Sequence, residues 1–289
     1  MEIIVKAAAK VNLLLDLTAK LENGYHSIYT VMQSVGIFDT VRVKKNDNKG
    51  IILTCSKPEI PTDNRNTAWK AAEHFFDYAK ISSGGADIHI DKVIPSEAGM
   101  AGGSADAAAV IKALNILYET DFSDRDLCAI AEKVGADVPF CLLGGTRLCL
   151  NKGEIMAQLP DFPECSMIII KPDEGVSTKQ AYNSFDEAEW IRHPDNEGFL
   201  FAASTGNLKT MCDKAANVFE QVVEVRDRVK IKAVMRNYNA RLAMMTGSGA
   251  AVFGIFDNEK DCEKCFDELK EQFKTAFLAK PVKEGLYVL

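Results

Sequence analysis

The apolar positions of this chain change their period along its length, and that change locates its elements. Residues 1–7 and 11–18 are near-continuous apolar runs of strand length. A third strand spans 31–45, where Phe38-Asp39-Thr40-Val41-Arg42-Val43 alternates apolar and polar residues. Ala68, Ala71, Ala72, Phe75 and Phe76 recur at helical spacing and predict a helix over 66–78. A strand-like run (86–94) and a helix-forming run (105–117) come next. Ser123 is placed to cap a helix ending at Val134, with Gly135 as its stop, and 146–150 reads as a strand.

The segment Leu159-Pro160-Asp161-Phe162-Pro163 interrupts this pattern and sets the expected domain division at 1–159 and 160–289. Beyond it come a strand over 166–171, a polar stretch from Pro172 to about Glu197, and helices over 207–221 and 227–238. Strands over 241–246 and 251–256, a helix over 259–277 and a closing strand complete the chain. No internal repeat is present. The expected architecture is two α+β domains with a cleft between them.

At 289 residues, 47% hydrophobic and 26% charged, the chain has an ordinary globular composition. A net charge of −7 argues against a nucleic-acid partner, because phosphate backbones require a basic face. No apolar run approaches the roughly 18 residues of a membrane span. Met1 leads straight into a strand without a charged leader, so no membrane partner and a cytoplasmic location are expected. The eight cysteines lie in apolar segments, as reduced thiols do. Cys262 and Cys265 form a lone C-x-x-C pair, but they sit in a helical run where Cys262, Phe266, Leu269 and Phe273 recur on one apolar face, with no second pair and no nearby histidine. That assigns them to the core and leaves no metal-ligand set among the residues.

The chemistry concentrates in Pro95-Ser96-Glu97-Ala98-Gly99-Met100-Ala101-Gly102-Gly103-Ser104-Ala105, between a strand and a helix. Three glycines and several alanines leave the main chain bare, so N–H groups can approach an anion. The helix start adds unpaired donors and the positive end of its dipole. This composition is either a small-residue turn packed closely against its neighbours or a cradle for the phosphates of a nucleotide, and the strand–loop–helix order favours the second. It is neither the G-x-x-x-x-G-K-[ST] loop nor the dinucleotide fingerprint, and no H-R-D or D-F-G marks a protein kinase.

Three further pieces carry two readings each. Lys10, after Ala7-Ala8-Ala9 and between the first two strand runs, is either a solvated turn charge or a packed side chain sharing a face with Asn12. Asp137, in Gly135-Ala136-Asp137-Val138-Pro139-Phe140, is either the N-cap of a short helix or a functional carboxylate. Gly247-Ser248-Gly249 is a bare turn, or it caps the cleft from the second domain.

In this order the pieces resemble the GHMP small-molecule kinases, relatives of galactose, homoserine, mevalonate and phosphomevalonate kinases. Asn23-Gly24-Tyr25-His26, the glycine-rich loop, Gly-Ala-Asp-Val-Pro-Phe and Thr246-Gly247-Ser248-Gly249-Ala250 narrow the resemblance over nearly the whole chain. They match the branch that phosphorylates cytidine-diphosphate methylerythritol. The resemblance implies an N-terminal domain like the second domain of ribosomal protein S5, a ferredoxin-like C-terminal domain and an active site between them. It also implies ATP with Mg²⁺, transfer to the substrate's 2-hydroxyl on the non-mevalonate route to isoprenoid precursors, and a monomer or homodimer. By position, Lys10 and Asp137 become the catalytic pair and the 95–105 loop the ATP site, with Asn66 bordering adenine. Asn12 falls near the methylerythritol hydroxyls and Tyr25 and His26 at the cytosine. Ser177, Thr178 and the Gly247–Gly249 turn fall in the substrate pocket. The alternatives are another GHMP kinase, whose substrate lacks a base for Tyr25 and His26, or a non-catalytic nucleotide-binding module. Three departures concern ATP affinity: Glu97, which must turn from the phosphates, Ala101 in place of glycine, and Ala105, which lacks a hydroxyl.

Overall fold

The computed structural model describes residues 1–20, 24, 26–46 and 50–289. Its first half contains β1 (Glu2–Lys20), β2 (His26–Lys45), β3 (Ile51–Cys55), α1 (Thr67–Ala79), β4 (Ala86–Asp91) and α2 (Gly102–Leu117). It continues through α3 (Asp124–Val134), α4 (Val138–Leu143), β5 (Thr146–Asn151) and β6 (Ile155–Gln158). The two apolar runs expected at 1–7 and 11–18 are one strand. β1 passes straight through Ala8, Ala9 and Lys10, absorbing the irregularity as bulges between Ala8 and Ala9 and between Asn12 and Leu14. It is apolar on both faces because both are covered, with Val5, Ala7, Ala9, Val11, Leu13 and Leu14 all buried.

β2 is the hub of the first sheet. One edge pairs antiparallel with β1 along its length, and the other pairs with β4 at 40–45 and with β5 at 28–33. β3 joins β4 in parallel, and β6 pairs with β5. Against this sheet lies α2, whose Ala105, Ala107, Ala108, Ala109 and Ala113 are fully buried. Side chains this small let the helix approach β1 and β2 closely, and a helix apolar all round belongs inside. α2 begins at Gly102, three residues before the expected start. A capping box of Ser123 and Asp126 opens α3, and Gly135 ends it as expected.

The second half contains β7 (Ser166–Lys171), α5 (Thr178–Glu187), α6 (Asn196–Ser204), α7 (Leu208–Lys214), a 3-10 turn (Val218–Gln221) and α8 (Arg228–Asn237). β8 (Leu242–Met245), β9 (Val252–Phe256), α9 (Glu259–Lys270), β10 (Thr275–Ala279) and β11 (Leu286–Val288) follow. Three expectations are corrected here. The polar stretch after Pro172 holds α5 and α6, and the single helix expected at 207–221 is broken into α7 and the 3-10 turn. The helix expected to reach 277 stops at Lys270, and its tail is β10. The β7-α8-β8-β9-α9-β10 succession makes a fully antiparallel sheet in the order β10-β7-β9-β8, a ferredoxin-like arrangement. Cys262 and Cys265 pack in its core with Leu269 and Phe273. The last strand leaves this half: β11 pairs with β1 on the edge of the first sheet. No helix is long and apolar enough to cross a membrane among the described residues.

Candidate active site

Lys10 and Asn12 are two residues apart in a regular stretch of β1, between its first two bulges, so strand alternation puts them on the same wall. Lys10 is 4% exposed within the strand, so the solvated-turn reading is overturned. Its ammonium donates to Asn12 Oδ1 at 2.7 Å. Asn12 Nδ2 donates to Thr30 Oγ1 at 2.8 Å, and Thr30 passes its own hydrogen to the Leu14 carbonyl at 2.6 Å. This chain fixes which end of the Asn12 amide faces the lysine.

Asp137 does stand at the N-cap of α4, but its side chain makes no capping hydrogen bond. The carboxylate instead faces Lys10, with Nζ to Oδ2 at 3.7 Å. The lysine side chain is 5% exposed and the aspartate 33%, so the ammonium is sealed in while the carboxylate can reach a ligand. Both line a cavity of ≈ 360 Å³ together with Asn12, Lys92 and the loop from Pro95 to Gly103.

That loop turns sharply through left-handed residues at Glu97, Gly99 and Ala101. Ala101 occupies the N-cap of α2 with no side chain to cap it, so the first N–H groups of the helix have no side-chain partner. Ser104, half-buried, and Ala105, fully buried, belong to the first turn and do not line the cavity. Glu97 is exposed on the rim, its carboxylate lying against Gly175.

The Gly-Ser-Gly turn meets this loop main chain to main chain. A Cβ on Gly99 would stand 2.1 Å from the Thr246 carbonyl oxygen, and one on Gly247 would stand 2.9 Å from Gly99 Cα. The N–H groups of Ala250 and Ala251 donate to the carbonyls of Glu97 and Ala98 at 3.3 and 3.2 Å. The Asn12 N–H donates to Thr246 Oγ1 at 2.9 Å. Buried Asn217 donates to the carbonyls of Met245 and Gly247, both at 2.8 Å. Gly247 and Ser248 reach the cavity and Gly249 does not.

Thr178 lines the cavity, its hydroxyl 3.1 Å from Ser248 Oγ, while Ser177 stands outside at the N-cap of α5. Asn66 also lies outside. It caps α1 by accepting from the Ala68 N–H at 2.9 Å and donates to the Pro61 carbonyl at 2.7 Å. Its neighbour Thr67 ties α1 to the loop through the Gly103 carbonyl at 2.7 Å.

A larger chamber of ≈ 930 Å³ adjoins the cavity through Ile28, Thr178 and Tyr182 and contains His26. The His26 ring lies 5.2 Å from Tyr182 and 5.9 Å from Phe185. Burial pushes the Tyr182 hydroxyl up to about 12, with the Asp137 carboxylate adding to it, so the phenol stays neutral. Tyr25 and Asn23 lie outside the described residues.

Several residues of this cleft carry no signal in the sequence. Tyr182, Phe185 and Asp186 sit in what reads as a polar stretch. Lys92 was accessible to inspection as the one cation in Asp91-Lys92-Val93-Ile94, yet no motif contains it. It is buried against two carboxylates, Asp39 Oδ2 at 2.5 Å and Asp106 Oδ2 at 2.8 Å. Among the described residues no cluster of three or more His, Cys, Asp or Glu could hold a metal. Magnesium ordinarily needs only one or two carboxylates besides phosphate oxygens, and Asp137 meets that smaller requirement.

Comparison with known proteins bears on the family and the fold. The GHMP kinases N terminal domain matches residues 66–145, and GHMP kinases C terminal matches 211–275. A 4-diphosphocytidyl-2-C-methyl-D-erythritol kinase of Clostridium acetobutylicum is 42% identical over 96% of this chain and 99% of its own. That of Caldicellulosiruptor bescii is 42% identical over 95% and 96%. A crystal structure of 4-(cytidine 5'-diphospho)-2C-methyl-D-erythritol kinase superposes with a TM-score of 0.78 at 28% identity, covering 97% of this chain and 99% of that one. A homoserine kinase from Cytophaga hutchinsonii shares the fold at 20% identity, with a TM-score of 0.79 over 100% of this chain and 97% of its own.

Proposed function

Since the chain belongs to the 4-diphosphocytidyl-2-C-methyl-D-erythritol kinases of the GHMP family, we propose that Lys10 and Asp137 are the pair through which it performs that family's reaction. The enzyme is an ATP-dependent small-molecule kinase that phosphorylates 4-diphosphocytidyl-2-C-methyl-D-erythritol in the pathway to isoprenoids. The 2-hydroxyl is the acceptor, and ADP leaves.

The observation that carries the assignment is the meeting of one sealed ammonium and one accessible carboxylate, 3.7 Å apart, beside a loop of bare main chain. A tertiary alcohol is a poor nucleophile at neutral pH. Asp137 accepts its proton as the O–P bond forms, and the bond from the γ-phosphorus to the bridging oxygen of ADP breaks. Lys10 keeps the carboxylate in place and offsets negative charge on the phosphoryl oxygens. Asn12 holds the lysine through Oδ1 and orients the acceptor's hydroxyls. The N–H groups of the loop and of the α2 start receive the triphosphate, as fixed donors that need no reorganisation during transfer.

Magnesium, when bound, neutralises charge on the phosphates, and Asp137 is the side chain in reach to share it. Asn66 serves the adenine side indirectly, by fixing α1 next to Thr67 and the loop. Thr178, Ser248 and the turn around them close the acceptor's end, and His26 with Tyr25 receives the cytosine.

Replacing Asp137 with alanine removes the proton acceptor while leaving the loop intact. The expected result is a fall in kcat of about 10²–10⁴, the usual contribution of a positioned acid–base group, with ATP binding retained. A coupled ADP-release assay checks the turnover and titration with a non-hydrolysable ATP analogue checks the binding. Near-normal turnover of the variant removes Asp137 from the chemistry. ADP release with mevalonate but not with the cytidine compound removes the substrate assignment.

A further inference from the structure

Asp186 belongs to no motif for phosphoryl transfer, yet it anchors the wall of the second chamber. His26 opens β2 and is buried, and its Nε2 lies 2.6 Å from Asp186 Oδ1 on α5. The other carboxylate oxygen accepts from the Lys20 ammonium at 2.5 Å. The Lys20 hydrogen bond holds the Asp186 carboxyl below the usual carboxylate range against the opposing effect of burial, and His26 adds to the lowering.

An ionised carboxylate can only accept, so the hydrogen between Asp186 and His26 resides on Nε2. In the neutral ring that leaves Nδ1 with a lone pair and no hydrogen. Among the described residues the imidazole's one hydrogen-bond partner is Asp186, on Nε2, which leaves Nδ1 to a ligand. Tyr182 and Phe185, on the same helix as Asp186, pack around the imidazole and limit its rotation.

We propose that Asp186 is a specificity-determining positioning residue. By fixing His26 in its Nε2–H form, it makes Nδ1 an acceptor that fits the exocyclic amino group of cytosine and repels the 4-carbonyl oxygen of uracil. The two bases differ there as donor and acceptor, so one fixed tautomer can separate them. The inference rests on the reading of His26 as the base-binding residue.

The test is steady-state kinetics with the cytidine substrate and its uridine counterpart, on the wild-type enzyme and on Asp186→Ala, Asp186→Asn and His26→Ala. In Asp186→Ala the KM for the cytidine compound should rise about tenfold with kcat and the ATP KM little changed, as expected when uniform binding is lost. The cytidine-to-uridine preference in kcat/KM should fall by about tenfold or more, because the ring is free to present Nδ1–H. Asp186→Asn covers the case in which the alanine variant fails to fold. Its amide can accept or donate, so the preference should fall again, by less.

An unchanged preference in a folded Asp186 variant, or an equal rise of both KM values, makes the contact merely structural and overturns the proposal. A cytidine KM left at the wild-type value in His26→Ala overturns instead the reading on which the proposal rests.

Discussion

At the end of the cleft proposed to take the phosphates the molecule presents main chain, and at the end proposed to take the base it presents side chains. The first end is Gly99 against Gly247, a run of left-handed residues and a helix start without a side-chain cap. The second is an imidazole held by a carboxylate and two aromatic rings on α5. The difference decides what each end can tolerate. Main-chain donors demand space, so almost any added atom at the contact is a steric fault. A side-chain pocket depends on proton positions, and there an isosteric change can matter more than a bulky one.

The harshest way to break this contrast is Gly99→Val. Its Cβ would stand 2.1 Å from a main-chain oxygen that cannot swing away, at a φ of +72° that a β-branched residue rarely adopts. Strain and displacement together should cost about 3 kcal/mol or more and separate the loop from the turn. The check is a thermal melt with an activity assay. A normal melting temperature with normal turnover would show that the loop and turn are not locked together. A smaller effect is expected from Asn217→Ala, which leaves two buried carbonyls and the Phe219 N–H short of a partner. It should destabilise the protein by about 1–3 kcal/mol in urea titration, with turnover reduced through the displaced turn. Stability at the wild-type value would mean that Thr246 and the two β-type contacts suffice without it.

The same contrast explains what could be read from the amino-acid order. Main-chain sites announce themselves because glycine and alanine are there for lack of side chain, and the 95–105 run and Gly247–Gly249 are visible for that reason. Lys10 required the structure, because a bulge inside a continuous strand looks like a break between two short ones. Asp137 stands at a helix cap by position, but whether its oxygens bond the helix or a lysine 127 positions away is set by tertiary packing. The proposed base pocket was hardest to read. α5 is only ten residues long and buries only Ala181 fully, so the short apolar stripe that carries Tyr182 and Phe185 is easily lost in the polar sequence around it. β10 escaped notice for the opposite reason: its apolar residues continue the helical stripe of α9 beyond Lys270.

The last prediction concerns what supports the main-chain end. Behind the loop, Lys92 donates to both Asp39 and Asp106, and a Cβ on Gly102 would stand 3.1 Å from the lysine nitrogen. Asp39 accepts in addition from the N–H groups of Val93 and Ile94, at 2.6 and 2.8 Å, while Asp106 Oδ1 is buried without a hydrogen-bond partner. Burial pushes the Asp106 carboxyl up, the Lys92 ammonium opposes it and the Asp39 carboxylate adds to it, with a net rise to about 8. Cys55 and Cys141 face the same cluster and remain thiols, because burial raises both. The folded protein therefore holds a proton on Asp106 that the unfolded chain releases near the ordinary carboxylate range of about 4. Where the native state binds the extra proton, stability falls as pH rises. The contribution is largest below about pH 4 and is lost progressively up to about pH 8. Asp106→Asn keeps the shape, carries no proton to lose and should flatten that dependence. The melting temperature of the variant relative to wild type should climb as the pH is raised from about 5 to about 9. A difference that stays constant across that range would mean that Asp106 is already ionised, leaving a net negative charge beneath the loop proposed to receive the phosphates.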